Sequence, residues 1–585
     1  MLASDYGGPQ RAITVAAVLA QPRGACLALA LLAGLPNAVG AGAIEVIGVT
    51  SGPLSNTGTL DYILLDTDGT ATATVTGDVV NEATGTIAGT DVNAGVGVYN
   101  GSTVEGALRN RGRIGADTLG NYAIEIQDSS IGSGVHNEVG AELASADTAM
   151  RIDLWSGSFS GGIGNAGNIL AGSEGIYFSG ESFAGGIGNS GSIASGLTGI
   201  YAYISAGAVG DGSLGGGIVN SGSITSADNA AIRVYADALT GGVSNTGAIS
   251  AANDAGIDLQ IGTIADGLSN AGTIASGGDG FTVQADAVTG GFANTAAGSI
   301  ASSEADAVRL SVSAFAGGIY NAGSLAAAAG NALSVNDGSY DGGITNAGAV
   351  QAEASGIAIG SDVTVAGEIR NETGASIIAG VGIDLAGGSS ADAITNAGDI
   401  DAEVAIAVAT DAVGGDITNT GGLRGDLWVA GSNAAGDGIG LTNRGSIDLG
   451  VPAVYSSLIS GDFTQTAAGS LAMTILSFGD YAGLPPLTIL GSVDIAGDLL
   501  LDFDPSFSFA PSERLRLIAV GGTRSGLFGN YADGALIQSF GGGQGVYIHY
   551  AEDGIELYTT PLPPPWLLIG LGLLWWQARG RPRAG

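Results

Sequence analysis

Few side chains of this sequence are suited to nucleophilic or general-base chemistry. The two histidines, His136 and His549, are far apart, and the only cysteine, Cys26, lies in an N-terminal segment that we expect to be removed. All 17 basic residues are arginines. The mature chain would then have no thiol, so we expect no disulfide and no cysteine-based metal site, and we predict no cofactor.

Two kinds of polysaccharide chemistry remain open. A lyase acting on acidic sugars would need arginine as its base, and Arg109, Arg111 and Arg113 do cluster, but on neighbouring positions of one repeat, where a solvated edge is the simpler interpretation. Hydrolysis needs only two carboxylates, and the chain has 55 acidic residues. Because the repeats lack long insertions that would wall a cleft, we predict that the protein is not an enzyme. A polysaccharide-active enzyme is the alternative.

The charge balance restricts the partners. A net charge of −38 disfavours nucleic acid and anionic membrane surfaces. Cations are compatible with it, but Asp-Gly pairs such as Asp211-Gly212 and Asp279-Gly280 are too irregularly placed to form a column of ion sites. The nonapeptide of calcium-binding β-helices is absent. We therefore predict no metal site, with a Ca²⁺-dependent matrix protein as a further alternative.

One seven-residue pattern recurs through the middle of the chain: apolar, any, Asn, any, usually Gly, any, apolar. The segment from Ile163 to Ile169, centred on Asn165 and Gly167, is one copy. Sixteen copies occur, and their asparagines are 23 to 31 residues apart, most often 25. We call these the tag asparagines: Asn56, Asn81, Asn110, Asn137, Asn165, Asn189, Asn220, Asn245, Asn270, Asn294, Asn321, Asn346, Asn371, Asn396, Asn419 and Asn443. Such regular spacing indicates a repeat architecture.

A second element follows each tag. An apolar-any-apolar triplet, such as Ile232-Arg233-Val234 or Ile257-Asp258-Leu259, comes 11 to 14 residues after the asparagine. This period of two is typical of a strand with one buried face. A unit of roughly 25 residues cannot bury an apolar face alone, but stacked units can. We therefore predict an all-β fold, a right-handed parallel β-helix (β-solenoid) of about 16 coils, with short apolar helices at the termini.

The tag asparagines are expected to have a structural role. Each lies two positions after an inward apolar residue, so its amide also points inward, and stacked amides can hydrogen-bond as a ladder. We expect the structural ladder to comprise Asn165, Asn189, Asn220, Asn245, Asn270, Asn294, Asn321, Asn346, Asn371 and Asn396. We also expect the asparagine to tolerate a left-handed backbone at a sharp corner, and the glycine two residues later to serve the same corner.

The N-terminus has the features of an export signal. Arg11 and Arg23 precede an apolar run, residues 25–32, and small residues follow at 38–43. This order predicts a signal peptide at 1–43 and hence an exported protein. The β-helix repeat domain is expected at 44–460.

The C-terminus combines a proline motif, an apolar segment and an arginine cluster. These are Pro561-Leu562-Pro563, residues 566–576, and Arg579, Arg581 and Arg583. Together they resemble a PEP-CTERM sorting signal of the VPLPA type, although Thr560 stands where that variant has Val. The resemblance implies a Gram-negative source, an exosortase-type processing protease as partner, and transient membrane association through residues 559–585. A plain membrane anchor is the alternative.

Residues 461–558 lack the tag. Phe463-Thr464-Gln465 and Gly526-Leu527-Phe528 resemble motifs of the C-terminal passenger region of autotransporter adhesins. The resemblance implies a region that ends the β-helix and covers its open edge. An autotransporter would continue into a membrane barrel of many alternating strands, and the 27 residues after Tyr558 are too few for one.

These features together favour an exported structural or adhesive protein of the cell surface, outer membrane or extracellular matrix. An extracellular polysaccharide or other surface proteins would be its partners.

Overall fold

The computed structural model describes residues 13–14 and 42–561, except for 90–92, 117–121, 207–211, 451–455, 479–484, 506, 508, 511 and 541–543. Within these residues the fold is all-β, with parallel strands stacked as a β-solenoid of about 17 turns and no helix. The predicted fold class is thus confirmed. Right-handedness stays a prediction, and the predicted terminal helices lie outside the described residues.

The chain forms two compact units. Unit 1 comprises residues 1–342 and 348–354, and unit 2 comprises 343–347 and 355–585. Within each unit, a turn contains an asparagine strand that ends at the tag residue, a second strand after the tag, and a third strand that contains the predicted triplet. Each strand pairs in parallel with its equivalents in the adjacent turns, as Ile218–Asn220 does with Val243–Asn245.

Unit 1 contains eleven asparagine strands. They are Leu54–Asn56, Val79–Asn81, Leu108–Asn110, Val135–Asn137, Ile163–Asn165, Ile187–Asn189, Ile218–Asn220, Val243–Asn245, Leu268–Asn270, Phe292–Asn294 and Ile319–Asn321. The second strands are Thr59–Leu60, Thr86–Ile87, Arg113–Ala116, Glu142–Ser145, Asn168–Ala171, Ser192–Ser195, Ser223–Ser226, Ala248–Ala251, Thr273–Ser276, Ser299–Ser302, Ser324–Ala327 and Ala349–Ala352.

Most of the third strands of unit 1 are longer than its other strands. The third strands are Ala43–Ile47, Tyr62–Asp66, Ala94–Val98, Tyr122–Gln127, Met150–Leu154, Ile176–Gly180, Ile200–Ile204, Ile232–Leu239, Ile257–Ile264, Phe281–Val288, Val308–Phe315 and Leu333–Val335. Short additional strands are Ile13–Thr14, Thr50–Ser51, Thr74–Val75, Thr103–Val104, Ser130–Ile131, Ser213–Leu214 and Ser339–Asp341.

The sequence pattern explains the core. Alternate residues of each strand point inward, so the apolar positions of successive turns form columns inside the coil. Ile224, Ile249 and Ile274 follow one another in the second strands, and each is 1% exposed. β-branched side chains suit such strands. Stacking turns therefore buries a face that a single repeat would leave in water.

Unit 2 repeats this arrangement with several fused strands. Its strands are Ile344–Asn346, Ser355–Ile359, Thr364–Asn371, Ser376–Leu385, Ser390–Asn396, Asp399–Val408, Val413–Gly414, Ile417–Asn419, Gly422–Val429, Leu441–Asn443, Ser446–Asp448, Ser457–Ile459, Phe463–Gln465, Ser470–Ile475, Leu487–Ile489, Val493–Ile495, Asp498–Phe503, Arg514–Val520 and Arg524–Gly526. Parallel pairing thus continues well beyond Gly461, where the tag disappears, as far as Val493–Ile495 with Arg524–Gly526.

Unit 2 ends in an antiparallel cap. Arg514–Val520 pairs with Gly554–Pro561, which pairs with Gln544–Ala551, which in turn pairs with Leu536–Phe540, each time antiparallel. The last parallel third strand therefore meets a hairpin instead of another turn. A covered edge of this kind blocks pairing with a further chain.

Candidate functional site

The tag asparagines of unit 1 form one hydrogen-bonded column. From Asn56 to Asn321, each side-chain Nδ2 donates to the Oδ1 of the next tag asparagine at 2.7–2.9 Å. All eleven side chains are buried. Each amide also bonds to the backbone, as in Asn270, whose Nδ2 donates to the carbonyl of Gly272 at 3.1 Å. The column therefore satisfies polar groups that burial would otherwise penalise.

Unit 2 has its own column, with a different ending. Asn346, Asn371, Asn396, Asn419 and Asn443 are linked by Nδ2–Oδ1 bonds of 2.8–2.9 Å. Asn443 then donates to Oε1 of Gln465 at 3.3 Å. Gln465 donates to the carbonyl of Asp498 at 3.1 Å, which ends the series of side-chain amides. The glutamine of the Phe-x-Gln motif thus continues the column in place of an asparagine.

The prediction of a left-handed backbone at the corner is wrong. None of the sixteen tag asparagines, all of which the structure describes, has a positive φ, and neither does Gly191 or Gly222 two residues after its tag. These glycines are required by close stacking instead. A Cβ at Gly191 would lie 2.0 Å from the carbonyl oxygen of Gly167, and one at Gly222 would lie 2.0 Å from that of Gly191. The corner therefore needs a residue without a side chain, whatever its φ.

The predicted sorting motif lies almost wholly outside the described residues. Leu562, Pro563, Arg579, Arg581 and Arg583 are not described. The backbone of Pro561 is the last position of strand Gly554–Pro561 and pairs with Gln544. Of the predicted signal peptide, only residues 13–14 and 42–43 are described.

The arginine cluster forms ion pairs between turns. Arg109 contacts Asp78 and Glu138, each at 3.2 Å. Arg111 contacts Glu138 at 3.0 Å and a glutamate of the preceding turn at 3.1 Å. Arg113 contacts a glutamate of the following turn at 2.8 Å. These arginines are 31% to 50% exposed, which agrees with a solvated, charge-paired edge.

The histidines lie in separate settings. His136 contacts the carbonyl of Ser133, and His549 contacts Asp533 at 3.0 Å. Among the described residues, no three His, Cys, Asp or Glu side chains are grouped as they would be around a metal ion. In the same part of the chain, no helix is long and apolar enough to span a membrane.

The outer face of the third strands in unit 1 carries the most distinctive side chains. Tyr177 pairs in register with Tyr201, and Tyr203 with Tyr235, in adjacent turns. Trp155 directly follows strand Met150–Leu154. Because side chains on a strand alternate between faces, these rings lie outside the coil while their neighbours fill it. We call these five aromatic residues the aromatic strip.

The rings of the aromatic strip contact one another across turns. Tyr177 and Tyr201 stack with centroids 5.3 Å apart and planes 4° from parallel. Tyr235 lies 6.0 Å from Tyr201 and 6.3 Å from Tyr203, and Trp155 lies 6.4 Å from Tyr203. Trp155 is 45% exposed and Tyr203 is 40% exposed. These contacts hold the rings in place while leaving part of their surface in solvent.

Two arginines border the aromatic strip, and both are paired with acids. Arg151 contacts Glu125 at 3.4 Å and Asp153 at 3.2 Å, and its guanidinium lies 5.9 Å from the ring centroid of Tyr177. Arg233 contacts Asp254 at 2.7 Å and Asp258 at 2.8 Å. The strip therefore presents aromatic surface whose neighbouring positive charges are locally compensated.

A cleft of about 330 Å³ lies on the N-terminal side of Arg151. Its polar lining includes Tyr62, Asp66, Tyr99, Glu125 and Gln127. Tyr99 donates to Oε2 of Glu125 at 2.6 Å. Burial raises the pKa of Glu125 above its usual range, although the bond from Tyr99 and the charge of the nearby arginine act in the opposite direction. A hydrogen bond to a neighbouring glutamate and burial raise the pKa of Tyr62 to about 12.

Comparisons with protein-family models, curated proteins and solved structures give no match.

Sequence reasoning missed the aromatic strip and the cleft. Tyr177 is the middle residue of an apolar-any-apolar triplet, a position that the period of two predicts to face outward but to which it assigns no role. Aligning the triplets by their tags would have brought Tyr177 and Tyr201 into one column. The cleft had no comparable signal, because Tyr62, Tyr99 and Glu125 come from three turns and do not share a motif.

Proposed function

We propose that this protein is exported and serves as a structural or adhesive component of the cell surface or extracellular matrix of a Gram-negative bacterium. The observation that supports this proposal is the order of its parts. An export-type N-terminus precedes a regular β-solenoid that displays outward side chains in columns, and a sorting-type C-terminus follows it. Fold alone does not determine function, so the proposal depends largely on the two terminal segments.

The proposal includes proteolytic processing of the C-terminal tail. Residues 559–585 act as a temporary sorting signal. The apolar run 566–576 inserts briefly in the membrane, and an exosortase-type protease then removes the signal. The basic residues Arg579, Arg581 and Arg583 then remain on the cytoplasmic side.

The test is the intact mass and location of the protein in its own host. Cell-envelope and medium fractions are separated, and the protein from each is measured by mass spectrometry. Loss of the leader and of the segment beyond Pro565, with the product outside the cell, supports the proposal. A full-length C-terminus held in the inner membrane contradicts it and makes the tail a plain anchor.

A further inference from the structure

We propose that the aromatic strip, together with the cleft beside it, binds an extended, uncharged polysaccharide. The inference rests on the proposed function only in that export would bring such a polymer within reach. Three properties of the surface favour this class of partner: flat aromatic rings, compensated charge, and hydrogen-bonding groups at both ends.

The rings suit the faces of sugars. A pyranose ring has a face of C–H groups that packs on an aromatic ring, with its hydroxyls directed to the sides. Trp155 and Tyr203 are the two most exposed rings of the strip, at 45% and 40%. Each is held against a neighbour, so little side-chain freedom is lost on binding.

The spacing suits a polymer. Tyr177 and Tyr201 belong to successive turns and stack face to face with centroids 5.3 Å apart, so these two rings present their edges to solvent. The exposed rings of Trp155 and Tyr203 belong to different turns, and their centroids are 6.4 Å apart, a separation on the order of one sugar residue. A ligand lying across the turns therefore contacts both exposed rings.

The electrostatics favour an uncharged chain. Arg151 and Arg233 each contact two carboxylates, and the whole chain has a net charge of −38. A polyanion would be repelled by the overall charge and would find these two guanidinium groups already paired.

The flanking groups suit hydroxyls. On one side, the cleft offers the side chains of Asp66 and Gln127. On the other side, Gln260 and Gln284 pair in register on the outer face, and both are exposed. Carboxylates accept hydrogen bonds from sugar hydroxyls, and side-chain amides both accept and donate them, without requiring a ligand charge.

The experiment is native affinity electrophoresis of the full chain in gels containing hydroxyethylcellulose, dextran or alginate. We expect at least one of the two neutral polymers to retard the protein, and alginate not to. Tyr203→Ala, at an exposed position, should weaken the retardation about fivefold to tenfold, the scale of one aromatic contact. Trp155→Ala should act similarly.

The matched control is Tyr320→Ala. Tyr320 is 45% exposed, but it belongs to an asparagine strand on a different face. Retardation should be unchanged in this variant and insensitive to added salt. Thermal melting of each variant shows whether it is folded.

Four outcomes overturn the proposal. The first three are no retardation by either neutral polymer, equal loss of retardation in Tyr203→Ala and Tyr320→Ala, and retardation by alginate alone. A fourth is concentration-dependent self-association that Tyr203→Ala abolishes, because the strip would then bind a second copy. The proposed function fails separately, since it is tested by location and mass and not by polymer binding.

Discussion

At the scale of single residues, the asparagine column depends on each amide serving two neighbours. Asn245 accepts from Asn220 at 2.8 Å and donates to Asn270 at 2.8 Å. Asn245→Ala removes both bonds and leaves a buried donor and a buried acceptor without these partners. We expect a loss of about 1–3 kcal/mol in the free energy of unfolding, measured by chemical denaturation.

The control for this substitution is Asn253→Ala. Asn253 is exposed and bonds to the carbonyl of Ala227 and to Asp228 at the surface. Its replacement should change stability by less than about 0.5 kcal/mol. Equal denaturation midpoints for the two variants would show that the column contributes nothing to stability.

The glycine after the tag gives a second prediction within one repeat. A Cβ at Gly191 would lie 2.0 Å from the carbonyl oxygen of Gly167, whereas one at Gly188 would have no heavy atom within 4 Å. We expect Gly191→Ala to destabilise the protein by about 1–3 kcal/mol or more. Gly188→Ala should be neutral or slightly stabilising, since alanine restricts the unfolded chain. A reversal of this order in thermal melting would refute the close-stacking explanation.

A half-buried carboxylate gives a pH prediction. Burial raises the pKa of Asp384, and a hydrogen bond from Ser355 opposes the shift. The folded state then binds the proton more tightly than the unfolded state. The contribution of Asp384 to the free energy of unfolding therefore falls as the pH rises from the ordinary aspartate pKa through the raised pKa of the folded state. Asp384→Asn should therefore raise the denaturation midpoint at pH 7, and its advantage should shrink on acidification.

The exposed Asp411 on a neighbouring turn serves as the reference. Asp411→Asn should leave the denaturation midpoint unchanged both at pH 7 and after acidification. A lower midpoint for Asp384→Asn at pH 7 would mean that the bond from Ser355 outweighs the cost of burying the charge.

The role of a residue could be predicted from the sequence wherever the same residue type recurs at one position of the repeat. The tag asparagines share one spacing, so their common column could be predicted, but the backbone angle at the corner could not. The need for glycine at Gly191 comes from a carbonyl one turn away, and no local pattern reports that distance. The cleft around Glu125 is built from three consecutive turns whose lining residues share no motif, so no local pattern predicted it.

At the scale of elements, the antiparallel cap closes the edge of the last turn. Without it, Arg514–Val520 would present unpaired backbone groups to other chains. A chain ended after Asn530, which lacks all three strands from Leu536 to Pro561, should self-associate at neutral pH. Light scattering measures this association.

The control is a chain ended after Pro561, which retains the cap and lacks the apolar tail. It should stay dispersed, so any association of the shorter chain can be assigned to the open edge. If both chains remain dispersed at the same concentration, the cap is not needed to prevent edge pairing.

The extent of the coil was harder to predict than its type. The tag and triplet predict parallel strands because both recur with a period of one turn. After Asn443 the tag is lost, yet the strands Phe463–Gln465 and Val493–Ile495 keep the same register. Apolar residues at inward positions are sufficient to continue a turn, and the asparagine is not required in each one.

At the scale of the whole molecule, charge controls association. A net charge of −38 keeps copies apart at neutral pH. Lowering the pH to about 4, near the aspartate pKa, removes much of this repulsion. We expect reversible self-association on acidification, detected by light scattering and undone by returning to pH 7. Association that increased with rising pH would contradict this explanation.

The shared register of the tags also affects how such a protein can change over generations. Asn220 and Asn245 are 25 residues apart and occupy the same position in adjacent turns. Loss or duplication of the DNA that encodes one such interval would remove or add a whole turn and leave the amide column continuous. The number of turns is therefore a trait that recombination between repeats can alter in single steps, without first passing through a misfolded chain.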